Sequence, residues 1–129
     1  MKKEIIRIPG TKTTGLPFNH VVKAGDILYL SSQLSCDLHT GAIIPGDVAA
    51  QTRKALENIK YLLSNAGSSM EHVLNVRVYM RNVSEFNEMN RVYREYFRDG
   101  EEPARITVQA PSPIAGIDVE IEVTAASVG

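Results

Sequence analysis

The stretch Ile117-Asp118-Val119-Glu120-Ile121-Glu122-Val123-Thr124-Ala125 alternates aliphatic and polar residues without a break. Successive side chains of an extended chain leave on opposite faces. One face of this segment is therefore aliphatic throughout, and the other carries Asp118, Glu120, Glu122 and Thr124. Strict alternation of this kind marks a strand in a sheet buried on one side only. The rest of the chain has to supply one apolar layer against it.

Working outward, Val73 to Met80 alternates as well, with Leu74, Val76, Val78 and Met80 on one side and Val73, Asn75, Arg77 and Tyr79 on the other. Arg105 to Ala110 sets Arg105, Thr107 and Gln109 against Ile106, Val108 and Ala110. Ile27 to Ser31, a short run after Gly25-Asp26, reads as a further strand. His39-Thr40-Gly41 and Pro45-Gly46 are turns. Asp47 is placed to cap a helix whose inward stripe is Val48, Thr52, Ala55, Leu56, Ile59, Leu63 and Ala66, and Gly67 supplies its left-handed stop. Ser84 is placed to cap a second helix with the stripe Phe86, Met89, Tyr93, Tyr96 and Phe97, which ends at Asp99-Gly100. The order strand, helix, strand, helix, strand, strand predicts a two-layer α+β domain over residues 1–129, with both helices on one face of the sheet.

Bulk properties narrow the function. A chain of 129 residues fits one domain. Fourteen basic and fifteen acidic residues leave a formal net charge of -1, with 6% aromatics, so the basic excess and stacking platforms of a nucleic-acid binder are missing. The single cysteine, Cys36, excludes an intrachain disulfide and reads as an incidental thiol. His20, His39 and His72 are scattered, without the close spacing of metal ligands, so no metal is expected. Neither a signal peptide nor a membrane span is apparent, and a cytoplasmic location is expected.

The face of the sheet turned from the helices is expected to carry Asn75, Arg77, Tyr79, Arg105, Thr107, Glu120 and Glu122. A solvated surface is the plainer reading of such a mixture. Two features favour a covered one: charges of opposite sign are paired, and arginine offers a planar fork matched to carboxylates. A subunit contact would desolvate these groups and strengthen their interactions. Arg105 with Glu120 or Glu122 then stands either as an interfacial ion pair or as part of a binding pocket.

Pro103-Ala104-Arg105, followed by Val119-Glu120-Ile121-Glu122, resembles the C-terminal signature of the RidA/YjgF family. Ser31-Ser32-Gln33 with Thr40-Gly41, the run Asp47-Val48-Ala49-Ala50-Gln51-Thr52, and Phe86-Asn87-Glu88-Met89-Asn90 with Tyr93 and Phe97 match its pattern too, in order, from about Gly15 onward. The resemblance implies a chorismate-mutase-like fold with a mixed, mostly antiparallel sheet. It also implies a homotrimer whose sheets line an inner barrel, with active sites in clefts between subunits. Segments 105–110 and 117–125 look like a hairpin by adjacency, but the resemblance places the last strand between two earlier ones.

The implied chemistry is hydrolysis of enamine and imine acids such as 2-aminoacrylate, released by pyridoxal-phosphate-dependent dehydratases, to 2-keto acids and ammonia. Arg105 would hold the substrate carboxylate, and Glu120 would position or deprotonate the attacking water. Thr107, Ser32, Asn90 and Phe18 would line the pocket, with no cofactor required. The sequence departs from the family where many members have Gly-Pro-Tyr: here Gly15-Leu16-Pro17-Phe18-Asn19-His20 offers a ring without a hydroxyl, with His20 as a nearby polar group. Thr107 likewise stands where many members have cysteine. Two other readings remain at this stage. One is an RNA-directed translation inhibitor or endoribonuclease; the other is a non-catalytic trimeric module that binds a small acid through Arg105 without needing Glu120.

Overall fold

The structure, a computed structural model, describes residues 1–128. Six strands, β1 (Lys3–Ile6), β2 (Val21–Ala24), β3 (Ile27–Leu30), β4 (Val73–Met80), β5 (Ala104–Gln109) and β6 (Val119–Ala126), form one sheet in the order β1-β2-β3-β6-β4-β5. Helices α1 (Val48–Asn65) and α2 (Phe86–Tyr93) supply the second layer. All neighbouring strands are antiparallel except β4 and β5, which run parallel because α2 carries the chain back between them. The last strand thus lies between β3 and β4, and the hairpin suggested by adjacency does not form.

Strand β6 has the alternation expected of it. Val119, Ile121, Val123 and Ala125 are buried, while Glu120, Glu122 and Thr124 are half-buried on the far face. Helix α1 lays Val48, Ala55, Leu56, Ile59, Leu62 and Leu63 on this layer. Its entry is fixed by the Asp47 carboxylate, which accepts from the Ala50 amide at 2.8 Å, and its exit by Gly67 at φ 82°. Gln51, 1% exposed, ties the start of α1 to the loop before β6. Its Nε2 donates to the Gly46 and Gly116 carbonyls (2.9 and 3.0 Å), and its Oε1 accepts from the Asp118 amide (2.8 Å).

Three local expectations are corrected. A register shift between Val73 and Asn75 turns Val73 inward and leaves Leu74 49% exposed, so Leu74 leaves the aliphatic set of β4. The second helix is not capped by Ser84; the Asn82 side chain accepts from the Ser84 amide at 3.0 Å and opens a short 3-10 turn, Val83–Glu85, that leads into α2. The third concerns β5 and moves part of the site.

In the parallel pairing of β4 and β5, Arg105 lies beside Val76 and Thr107 beside Val78. Residues side by side in a sheet share a face. Val76 and Val78 are fully buried under the helices, so Arg105 and Thr107 are on the helix face, not with Glu120. Ile106 and Val108 take the open face beside Arg77 and Tyr79, where Ile106 is 56% exposed. Expecting aliphatic residues to face the helices fails on this edge strand. Its outer flank has no neighbouring strand, and α2 offers polar and aromatic partners to a cation there.

Candidate active site

The six residues expected to build the site separate into two groups, one on each side of the sheet. On the open face, Ser32 Oγ donates to Glu120 Oε1 at 2.8 Å. Ser32 reaches this position because the chain beyond β3 stays alongside β6: Gln33 exchanges both backbone hydrogen bonds with Ile121, at 2.7 and 2.9 Å. Glu120 and Ser32 line a cavity of about 420 Å³, with Phe18, Tyr79, Glu122 and the Ala110–Pro113 turn as its other walls. Glu122 has a different role. It accepts from Arg77 Nε at 2.8 Å and from the Tyr79 hydroxyl at 3.1 Å, while Arg77 also donates to Asn75 and Thr124. The ion pair that the sequence suggested for Arg105 is thus made by Arg77. Glu120 is left with one hydroxyl donor and an open side towards the cavity.

The second group lies between β5 and α2. Arg105 Nη1 donates to Asn90 Oδ1 at 2.7 Å. Its guanidinium carbon stands 4.6 Å from the Tyr93 ring centroid and 5.6 Å from that of Phe86. Asn90, Tyr93 and Phe86 are spaced i, i+3 and i−4 on one helix face, which is how a single helix presents one acceptor and two rings to one cation. No carboxylate comes within ion-pair distance of Arg105 among the described residues. It borders a cleft of about 220 Å³ with Asn90, Tyr93, Arg94, Glu102 and Pro103. A guanidinium braced on one edge by Asn90, with aromatic rings against it and no carboxylate paired to it among the described residues, is arranged to receive an acid group.

The buried Tyr93 and Thr107 hydroxyls in this region have no hydrogen-bond partner among the described residues. Burial pushes the Tyr93 phenol up to about 12 against the opposing pull of Arg105. The helical stripe places Tyr93 only among the inward-packing residues; its contact with Arg105 emerges in the structure, although its spacing from Asn90 is visible in the sequence. The buried Gln33 Nε2 donates to His20 Nδ1 at 3.3 Å, and His20 lines a cavity together with Phe18. Cys36 is half-buried, and desolvation raises its pKa, away from the thiolate a nucleophile needs.

The molecule is thus of a definite class: a small two-layer α+β protein whose candidate site residues line two clefts, one beside α2 and one on its bare sheet. That class has a family. Residues 12–127 match the family model described as endoribonuclease L-PSP, and the chain belongs to this family, also called RidA/YjgF. It is 39% identical over 125 residues to a RutC family protein of Pyrococcus horikoshii, covering 97% of this chain and 98% of that protein. It is 42% identical over 109 residues to the 3-aminoacrylate deaminase RutC of Acinetobacter baylyi, covering 84% and 86%. The crystal structure of YyfA, a Rid family protein of Yersinia pestis, superposes with a TM-score of 0.89 at 30% identity, covering 97% of this chain and 99% of that one. No helix among the described residues is long and apolar enough to cross a membrane.

Proposed function

We propose that this protein is a hydrolytic deaminase of reactive enamine and imine acids such as 2-aminoacrylate, working as a cytoplasmic homotrimer. Each active site joins the Arg105 cleft of one protomer to the Glu120 cavity of the next. The observation that carries the reading is the division itself. An acid-gripping cation and a water-positioning carboxylate are both present, yet they face opposite ways, so two copies are needed to bring them together. Self-association is supported by the open face, where Tyr29 and Ile106 are 48% and 56% exposed beside the Arg77–Glu122 pair.

The reaction needs little beyond orientation and proton movement. Arg105 takes the substrate carboxylate with its guanidinium fork, and Asn90 keeps the fork from turning. In the enamine the β-carbon takes up a proton to give the imine, or the imine arrives directly. Glu120, held by Ser32, accepts a proton from water as the oxygen bonds to the imine carbon and the nitrogen is protonated. The resulting carbinolamine collapses: Glu120 gives the proton it took to the amine, the carbon–nitrogen bond breaks, ammonia leaves, and the hydroxyl returns a proton to the solvent that protonated the imine nitrogen, giving the keto acid. Phe18 and the Ala110–Pro113 turn wall off bulk water. That a 3-aminoacrylate deaminase is among the relatives supports this class of chemistry.

The test is keto-acid release in a threonine dehydratase reaction, with and without added protein. Acceleration beyond spontaneous hydrolysis is expected, abolished by Arg105→Ala and by Glu120→Ala. Glu120→Ala protein that still binds keto acid by calorimetry separates catalysis from capture. An unchanged rate with high concentrations of wild-type protein contradicts the proposal. RNA cleavage that survives Arg105→Ala would favour the nuclease activity named in the family's description.

A further inference from the structure

Two polar neighbours of Glu120 on the open face of the sheet are both turned away from it. Tyr79 lies directly opposite Glu120 in the pairing of β4 with β6, yet its hydroxyl donates to Glu122 at 3.1 Å. Arg77 lies opposite Glu122 and diagonal to Glu120. All of its guanidinium nitrogens are committed elsewhere: Nε donates to Glu122 Oε1 at 2.8 Å, Nη1 to Asn75 Oδ1, and Nη2 to Thr124 Oγ1 at 3.1 Å. Acceptors on both strands thus fix the direction of a planar fork, which cannot swing to Glu120 without leaving them.

An arginine that served only to balance charge would bridge both carboxylates, which stand about 7 Å apart along one side of β6. Instead Glu122 receives the cation and the phenol, while Glu120 receives the Ser32 hydroxyl. Burial first, and then the bond to Glu122, raise the Tyr79 phenol above its ordinary value, so it stays a donor to Glu122 at neutral pH. The other charges around the cavity are engaged too. Arg81, which donates to the Ser112 carbonyl of the cavity wall, pairs with Asp118 at 3.3 Å, and His20 accepts from Gln33. Strands β3 and β5 bring only Tyr29, Ile106 and Val108 to this part of the face. In the proposed assembly the neighbour's Arg105 is taken up by the substrate carboxylate.

We infer that Arg77 is a positioning residue of the deaminase: held on Glu122 by Asn75 and Thr124, it cancels that second carboxylate and leaves Glu120 as the one uncompensated charge of the cavity, free to take a proton from water. The inference rests on the deaminase reading above.

The consequence is a pair of opposite shifts in the pH dependence of kcat/KM, whose acid limb reports the base of the free enzyme. In Arg77→Met the charge of Glu122 is unopposed, two nearby carboxylates resist ionising together, and the acid limb moves up by about one pH unit. Below the limb this variant retains about a tenth of the wild-type rate and approaches it at alkaline pH. In Glu122→Gln the charge of Arg77 is unopposed and the limb moves down. Arg77→Met/Glu122→Gln carries neither charge, and its limb returns to the wild-type position. Each profile is measured by dehydratase-coupled keto-acid release and divided by the wild-type rate at the same pH, which cancels the response of the supplying enzyme; sedimentation confirms the assembly. Opposite shifts that vanish in the double variant are the expected result. Profiles of assembled variants that change in height without moving make the network purely structural, overturning the inference and leaving the deaminase standing. Wild-type protein inactive at every pH overturns the deaminase and the inference together. If Arg77→Met fails to assemble, Glu122→Gln decides: a downward shift supports the inference, and a fixed or upward limb overturns it.

Discussion

Asn90→Leu is expected to weaken substrate capture without touching the reacting centre. Arg105 is braced by one hydrogen bond, 2.7 Å from Nη1 to Asn90 Oδ1, and by two aromatic contacts, 4.6 Å to the Tyr93 ring and 5.6 Å to the Phe86 ring. Leucine keeps the branched outline of Asn90, at a somewhat larger volume, and removes the acceptor. A hydrogen bond to a charged group contributes about 1.5–3 kcal/mol. Arg105 is only half-buried, so the lower end applies, and about 1.5 kcal/mol corresponds to roughly tenfold. Because the carboxylate is gripped equally before and during the reaction, the loss should fall on KM, with kcat within a factor of about two. Phe86→Leu, which removes the more distant ring, should cost about threefold by the same measure. The assay is the dehydratase-coupled release of 2-ketobutyrate across a range of threonine dehydratase flux, with sedimentation to confirm the assembly. A folded, correctly assembled Asn90→Leu protein with wild-type KM would refute the idea that α2 orients the fork. A loss confined to kcat would place Asn90 at the reacting carbon instead.

Three further outcomes follow from the geometry. Ser32→Ala removes the hydroxyl donated to Glu120 at 2.8 Å and should lower kcat by about tenfold with KM little changed, read in the same coupled assay. Gln51→Leu leaves the Gly46 and Gly116 carbonyls and the Asp118 amide without their partner, which should cost about 3 kcal/mol and lower Tm by roughly 10 °C in a thermal melt. Tyr93 and Tyr96 are each pushed up to about 12, chiefly by burial. The folded state therefore holds these protons after the unfolded chain has lost them at an ordinary phenol pKa of about 10, so stability should fall as pH rises from about 10 to about 12. Ultraviolet titration should show these phenolate signals appearing only with alkaline unfolding; two rapid, fully reversible titrations near the ordinary value would contradict the burial.

Much of this fold could be read from local pattern. Asp47, the stripe from Val48 to Leu63 and Gly67 all agree on α1, and the alternation of β6 is uninterrupted, so each is settled by residues within reach of one another. What failed depended on distant partners. Strands β1 and β2 are four residues each with mixed composition, and only their pairing, β1 with β2 and β2 with β3, makes them strands. The parity of β5 is equally clear in sequence, but parity does not say which set turns inward. That is decided by its register beside β4 and by the polar face of α2, and the aliphatic set went outward. The bulge at Val73–Asn75 displaced Leu74 for the same reason. At the candidate site, Ser32 with Glu120 and Asn90 with Arg105 are pairs that the resemblance brought to the same list. Their separation onto opposite faces is a property of the sheet order, which alternation alone does not contain.

That separation is open to a direct measurement. Arg105→Ala and Glu120→Gln proteins, each expected to be inactive alone, are mixed in equal amounts, unfolded and refolded together. In a cyclic assembly with sites shared between neighbours, about one quarter of the sites in the mixture draw an intact Arg105 from one protomer and an intact Glu120 from the next. Recovery of roughly that fraction of wild-type activity, absent when the two proteins are mixed without unfolding, is the predicted result. A mixed assembly with no more activity than its parents would mean that both groups serve from a single protomer, contrary to the arrangement described.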